Sequence, residues 1–414
     1  MLYWFLYIIS KPGTWLFNKT LVIRGKKNIP KNKPILFASN HPNSFLDAVN
    51  IAMAEPKGVY FLVRGDMMST PITKLLYGAM HQIPIFRRQE GYENLKQNDK
   101  TFDICYDLLK KNGRIIIFAE GVGIAEKRIR PIKKGAARMA LDALERSNGE
   151  LDVHIVPTTL NYNYPTVPGK GVYLNFEEPI RVKDYEASFK NHPAIAKKEI
   201  SEAIEKALKP KVIHYNLRDI DLEYDTALDL LRNNVNKKNH SRELELFNVD
   251  LVNLSFGKDT KNSELAKNYA EKLKSNKALD MAVNKGRLKL SWLLLPFFLI
   301  SWVFDKLGYL LNCPSNVLGN KIAKGVKATD FIPSIKYLVT TFGYFLYLVI
   351  LLAIFGTLGH WIIIPIILLL GIYSIFARNF NATYFNRLKL SFKVNILNEL
   401  QEIRAKLVET LDGN

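Results

Sequence analysis

The chain has 414 residues and carries 58 lysines and arginines against 39 acids, a formal net charge of +19. That length allows two or three units of roughly 100–200 residues each, and the basic excess suits nucleic acid, an anionic membrane surface or phosphorylated substrates. Zinc-finger spacing, a basic heptad region and an aromatic RNA-binding signature are all missing, so nucleic acid is not expected as a partner. The two cysteines, Cys105 and Cys313, make neither a CxxC motif nor a disulfide framework and fit a reducing cytoplasm.

The N-terminal run MLYWFLYIIS is too short to span a bilayer before Lys11 and Pro12. Its Tyr3, Trp4, Tyr7 and Trp15 are residue types of the membrane interface, so residues 1–30 read as an interfacial anchor. Residues 31–210 alternate apolar runs with helical patterns. The expected strands are Pro34–Ser39, Val59–Arg64, Ile83–Phe86, Arg114–Glu120, Val153–Asn161 and Val172–Phe176. Helical periodicity falls at Asn94–Lys111 and Lys134–Glu145. This alternation predicts an α/β domain, a mainly parallel sheet flanked by helices.

Residues 211–288 are charged, with an Asn- and Lys-rich stretch at Asn233–His240, and read as a helical region with no assigned chemistry. Residues 289–377 read as a membrane region. Leu290–Phe304 is apolar but only fifteen residues long before Asp305 and Lys306, and basic residues flank it on both sides, so 290–311 is expected to be re-entrant. Tyr337–Ala377 contains no Asp, Glu, Lys or Arg and has glycines at its middle, Gly356-Thr-Leu-Gly359. A transmembrane helical hairpin over 337–377, both ends cytoplasmic, satisfies the positive-inside rule. Residues 378–414 then form an amphipathic helix through Leu397, Leu400, Ile403 and Leu407.

The strongest local signal for chemistry is Ser39-Asn40-His41-Pro42-Asn43-Ser44-Phe45-Leu46-Asp47. It places a histidine at the C-terminal end of a strand, where open α/β sheets build their sites. A neutral imidazole takes a proton from a hydroxyl near pH 7, and a nearby carboxylate fixes its tautomer; Asp47 is the nearest candidate. The same residues also read as a helix start, with Ser44 capping and Asp47 in the first turn.

Four blocks in order resemble the glycerophosphate acyltransferase family: Asn40-His41 with Asp47; Ile83-Pro84-Ile85-Phe86-Arg87-Arg88; Phe118-Ala119-Glu120-Gly121-Val122-Gly123; and Ile155-Val156-Pro157. Lys133-Lys134-Gly135-Ala136-Ala137-Arg138 resembles the family's segment between the last two blocks. The departures are a step of five residues between His41 and Asp47, Ala119 in place of the family's proline, and the missing Thr-Arg-Ser end of the third block. The longer step resembles the glycerol-3-phosphate/dihydroxyacetone-phosphate branch.

The resemblance implies an enzyme that moves a fatty-acyl group from acyl-CoA or acyl carrier protein to a glycerophosphate hydroxyl, in phospholipid biosynthesis. It implies His41 as base and Asp47 as its orienter. Arg87, or Arg88 if the register slips, would hold the phosphate, and Glu120 and Gly121 would border the acceptor. Pro157 would shape the donor pocket. Arg128, Arg130, Lys133 or Lys134 could replace the missing arginine; from Lys110 to Arg138 there are nine basic residues and two acids. A thioester is already activated, so no metal and no bound cofactor is expected. The protein is expected at the cell membrane, its catalytic domain on the cytoplasmic face and the lipid bilayer a partner. The alternative is a non-catalytic lipid-binding membrane protein that kept the fold.

Overall fold

The computed structural model describes residues 1–18, 21–86, 96–162, 171–212, 230, 260–288 and 291–412. The chain divides into two compact units. One is Met1–Val212 with Val326–Ser334; the other is Ile213–Gly325 with Ile335–Asn414.

The first unit opens with helix α1 (Leu2–Asn18). Its Trp4, Phe5, Ile8 and Trp15 are exposed, while Tyr3 is buried, stacked on His81 with ring centroids 4.0 Å apart and accepting from the Val59 amide at 3.2 Å. One apolar face is thus used inside the unit and another is left open.

The sheet follows: β1 (Leu21–Arg24), β2 (Ile35–Ser39), β3 (Tyr60–Arg64), β4 (Gln82–Ile85), β5 (Arg114–Phe118), β6 (His154–Tyr162), β7 (Val172–Phe176) and β8 (Ile180–Arg181). Its order is β1-β7-β6-β2-β5-β3-β4, with β8 on β6. β6 is antiparallel to β7 and β8; the other pairings are parallel. β2 lies between β5 and β6 and all five of its residues are buried, which is why Ile-Leu-Phe-Ala reads as an unbroken apolar run. Burying each of Ile35, Leu36 and Phe37 stabilises the unit by about 1.5–3 kcal/mol. Parallel crossovers supply the helices α2 (Ser44–Ala54), α3 (Pro71–Ala79), α4 (Asn98–Lys110) and α5 (Gly135–Arg146), followed by α6 (Glu186–Asn191) and α7 (Pro193–Leu208). Ala136, Ala140 and Leu144 of α5 join Ile200 and Ile204 of α7 in the core.

The predicted α/β sheet is therefore present, with six strands near their expected places. The sequence reading had no β1 or β8. Both are short, and four or two residues carry too little periodicity to register.

Of region 211–288, residues 213–229 and 231–259 lie outside the described residues, Asn233–His240 among them. The second unit continues with α8 (Thr260–Ser275), α9 (Asp280–Lys285), α10 (Ser291–Leu311), α11 (Cys313–Lys324), α12 (Phe331–Thr357, from Ile335), α13 (Ile363–Ser391) and α14 (Val394–Asp412). Among the described residues, three helices are long and apolar enough to cross a membrane: Leu294–Leu311, Phe331–Thr357 and Ile363–Ser391. The segment expected to be re-entrant is one continuous helix. It runs through Asp305 and Lys306 to Leu311 because Asp305 is not left bare in it: Ser374 donates to its Oδ1 at 2.9 Å, and Arg378 lies 3.8 Å away.

α12 and α13 are joined by a short turn through Gly359. Yet it is α10 that lies along α13. Gly308 of α10 sits against the Leu370 carbonyl, where a Cβ would also come within 2.7 Å of Ser374. Small residues at the crossing let the backbones approach, and Ser301, Asn381 and Tyr373 hydrogen-bond across it. Periodicity in one helix does not say which neighbour faces it.

Candidate active site

The site lies at the C-terminal ends of β2 and β5, where their registered partners Ser39 and Phe118 are the last strand residues. Beyond Ser39 the chain turns sharply. Asn40 keeps it attached to β6: its side chain accepts from the Leu160 amide at 2.8 Å and donates to the Leu160 carbonyl at 2.9 Å, continuing the ladder by one side-chain rung. The sequence alone gave Asn40 no such structural task.

His41 comes next, its ring stacked on Phe118 with centroids 3.6 Å apart. Its Nδ1 lies 2.9 Å from Asp47 Oδ2. The two residues meet through a turn, as the spacing requires. Ser44 opens α2 with φ of 41°, a left-handed backbone that is strained for a residue with a Cβ. Ser44 does not cap the helix, contrary to the sequence expectation. Asn43 occupies the N-cap position without a side-chain cap. Two other residues replace the missing cap. Asp47 accepts from the Asn43 amide at 2.7 Å, and the Ser334 hydroxyl accepts from the Leu46 amide at 2.9 Å.

Asp47 is completely buried and accepts three hydrogen-bonding partners. Beside His41 and the Asn43 amide, the Tyr162 hydroxyl donates to Oδ1 at 2.7 Å. Tyr162 in turn accepts from Asn50 at 2.8 Å, and Asn50 from Asn18 at 2.6 Å. Burial first, then the Asp47 charge, raises the Tyr162 hydroxyl well above its ordinary value, so it stays a donor. With Nδ1 committed to a carboxylate, the imidazole presents Nε2 as its free nitrogen.

Glu120 follows the end of β5 and is buried. It accepts from the His41 amide at 3.1 Å and the Arg130 amide at 3.0 Å, and pairs with the Arg130 guanidinium. The same guanidinium nitrogen also reaches the His41 carbonyl at 3.2 Å and the Val122 carbonyl at 2.6 Å. Arg130 thus ties the loop after β5 to the turn after β2, while its Nε and Nη1, both buried, have no hydrogen-bond partner among the described residues. Gly121 has φ of +76°, which a side chain would strain.

Other expected site residues fall elsewhere. Pro157 is on β6, in register with Ala38. Lys134 is exposed at the N-cap position of α5, whereas Lys133 is the lysine that lies against Gly121. Arg87 and Arg88 lie outside the described residues. Arg128 is paired with Glu126 at 2.5 Å. Sequence reasoning missed Tyr162, Asn50 and Asn18, which carry no local motif.

Comparison with known proteins follows the same line. The Acyltransferase family model matches residues 20–161, the stretch that contains the turn, Glu120 and Arg130. Over that stretch the chain is similar to acyltransferases. A relative from Limnanthes alba named 1-acyl-sn-glycerol-3-phosphate acyltransferase is 25% identical over 205 residues, covering 44% of this chain and 70% of the relative. A chloroplastic enzyme of the same name from Brassica napus is 27% identical over 141 residues, 33% of this chain and 36% of that one. The crystal structure of a 1-acyl-sn-glycerophosphate acyltransferase from Thermotoga maritima matches with a TM-score of 0.34 at 18% identity, over 48% of this chain and 76% of that one.

Proposed function

We propose that this protein is a glycerophosphate acyltransferase, transferring a fatty-acyl group from a thioester, acyl-CoA or acyl carrier protein, to a hydroxyl of glycerol-3-phosphate or 1-acylglycerol-3-phosphate. The observation that carries the reading is His41, held at Nδ1 by a buried carboxylate 2.9 Å away, beside the Glu120–Arg130 loop. The acceptor hydroxyl lies against Nε2. Its oxygen attacks the thioester carbonyl carbon as His41 takes its proton. The tetrahedral intermediate collapses, the carbon–sulfur bond breaks, and the departing thiolate recovers the proton from the imidazolium. Asp47 holds the tautomer and stabilises the cation.

The phosphate is held by Arg87, with Arg88 as its alternate, since a planar guanidinium fork matches phosphate oxygens. Glu120 and Gly121 border the acceptor, Lys134 adds positive charge at the rim, and Pro157 shapes the donor pocket. No metal or bound cofactor enters these steps. The three apolar helices anchor the protein in the cell membrane with the catalytic unit on the cytoplasmic face.

Two acceptors remain because two signals differ. The relatives are named for 1-acylglycerol-3-phosphate, whereas the five-residue step from His41 to Asp47 resembles the glycerol-3-phosphate branch. The purified full-length protein, given labelled acyl-CoA or acyl carrier protein with each acceptor, should form labelled product with one acceptor at least tenfold faster than with the other. Transfer to neither acceptor from either donor would refute the reading.

A further inference from the structure

Residues Val326–Ser334 belong to the first unit although the whole of Ile213–Gly325 intervenes in sequence. They meet the catalytic turn at two points. Ser334 donates its hydroxyl to the Asn43 carbonyl at 3.2 Å and accepts from the Leu46 amide, bracing the turn between His41 and Asp47. Four residues earlier, Asp330 reaches the open side of the imidazole. A Cβ built on Gly123 would stand 3.2 Å from His41 Nε2 and 3.1 Å from Asp330 Oδ2. The base nitrogen and this carboxylate therefore border one small space, and a glycine leaves that space clear.

A carboxylate on the Nε2 side is a different instrument from Asp47. Asp47 is buried behind the ring and fully engaged; Asp330 is half-buried on the side where a hydroxyl must arrive. An ionised carboxylate can only accept hydrogen bonds. Of the groups on a glycerophosphate, the hydroxyls donate and the phosphate is repelled. The reacting end of a thioester offers no donor. Asp330 therefore discriminates in favour of the acceptor's hydroxyl end and against the phosphate.

We propose that Asp330 is an acceptor-binding residue, its carboxylate accepting a hydrogen bond from an acceptor hydroxyl held beside His41 Nε2. The proposal rests on the acyltransferase reading above. Burial, the largest influence on this group, raises its carboxyl above the ordinary value, which fits a group that needs a donor partner.

The test is steady-state kinetics of the full-length protein and its Asp330→Ala and Asp330→Asn variants, varying glycerol-3-phosphate or 1-acylglycerol-3-phosphate at saturating acyl-CoA. A hydrogen bond to a charged group corresponds to about tenfold or more in binding. Asp330→Ala should raise the acceptor KM about tenfold and leave the acyl-CoA KM and the unfolding temperature unchanged. Asp330→Asn keeps a carbonyl acceptor and should recover most of the loss. An unchanged acceptor KM in Asp330→Ala would overturn the proposal, as would a fall in kcat alone. If Asp330→Ala unfolds, the Asn variant decides: a normal fold with a near-normal acceptor KM supports the proposal, and an equal collapse of stability sinks it. Wild-type protein inactive toward both acceptors would instead strike the functional reading itself.

Discussion

Each unit of this protein seals one carboxylate inside it with a tyrosine hydroxyl against it, and the two differ in what balances the charge. In the strand-rich unit Asp47 faces Tyr162 at 2.7 Å and His41 at 2.9 Å. Among the C-terminal helices Asp280 faces Tyr269 at 2.6 Å and Arg404 Nε at 2.9 Å. Arginine keeps its charge at any working pH, so Asp280 has a permanent counter-ion and joins α9 to α14 and α8. An imidazole changes charge close to neutrality. The full ion pair at Asp47 exists only after His41 has taken a proton. The same local arrangement thus makes a strut in one unit and, on the proposed function, a proton-accepting site in the other.

The largest expected effect breaks the first half of that contrast. His41→Ala should lower acyl transfer by about 10²–10⁴-fold, the range of positioned base catalysis. Asp47 keeps Tyr162 and the Asn43 amide, so the variant should fold and remain membrane-bound. Radiolabelled transfer beside thermal unfolding measures both. Near-normal turnover would leave Asp47 and Asp280 with no difference in role.

The mirror experiment removes the strut. Asp280→Ala removes the carboxylate paired with the buried Arg404 guanidinium and should cost about 3–5 kcal/mol of stability. Turnover per folded molecule should stay at the wild-type level. The readouts are denaturant unfolding and activity corrected for folded fraction. Slowed turnover at full stability would reverse the assignment.

How much of this was legible beforehand follows from distance along the chain. The apolar run Ile35–Ala38 announced a buried parallel strand, and the short Asn40–Asp47 stretch announced a histidine and its carboxylate. The turn that joins them was less legible. It uses Asn43 and a left-handed Ser44 where local pattern suggested a serine cap, and Ser334 reaches it from 288 residues beyond Leu46. Tyr162 is 115 residues from Asp47. No periodicity carries such pairings; only the sheet order, which sets β6 beside β2, brings them together. Arg130 stood in a basic stretch that suggested phosphate, yet part of its guanidinium holds the loop to Glu120 and the His41 carbonyl. In the helical unit, hydropathy found the apolar segments but not that α10 and α13 are partners, because that depends on Gly308 and on polar groups facing inward.

The smallest expected effect sharpens the comparison most, because the same change is made on both sides. Tyr162→Phe and Tyr269→Phe each delete one hydroxyl that donates to a buried carboxylate, a bond of about 1.5–3 kcal/mol. At Asp47 the loss loosens the group that orients the base, so turnover should fall about tenfold, while Asn50 loses its acceptor. At Asp280 the loss should appear only as lower stability, with turnover per folded molecule unchanged. Alkaline pH gives a second reading. Burial, and then the adjacent aspartate, raises both hydroxyls above the ordinary tyrosine value of 10.0. Their contribution is complete below that value and is lost as pH rises, because the unfolded chain ionises first. Wild-type stability should therefore decline above pH 10, and each Phe variant should show a shallower decline. Both tyrosines share this alkaline behaviour, so it reports their burial alone. Activity at neutral pH is what separates them, and a Tyr269→Phe variant that turned over slowly while fully folded would show that the helical unit's carboxylate also serves the reaction.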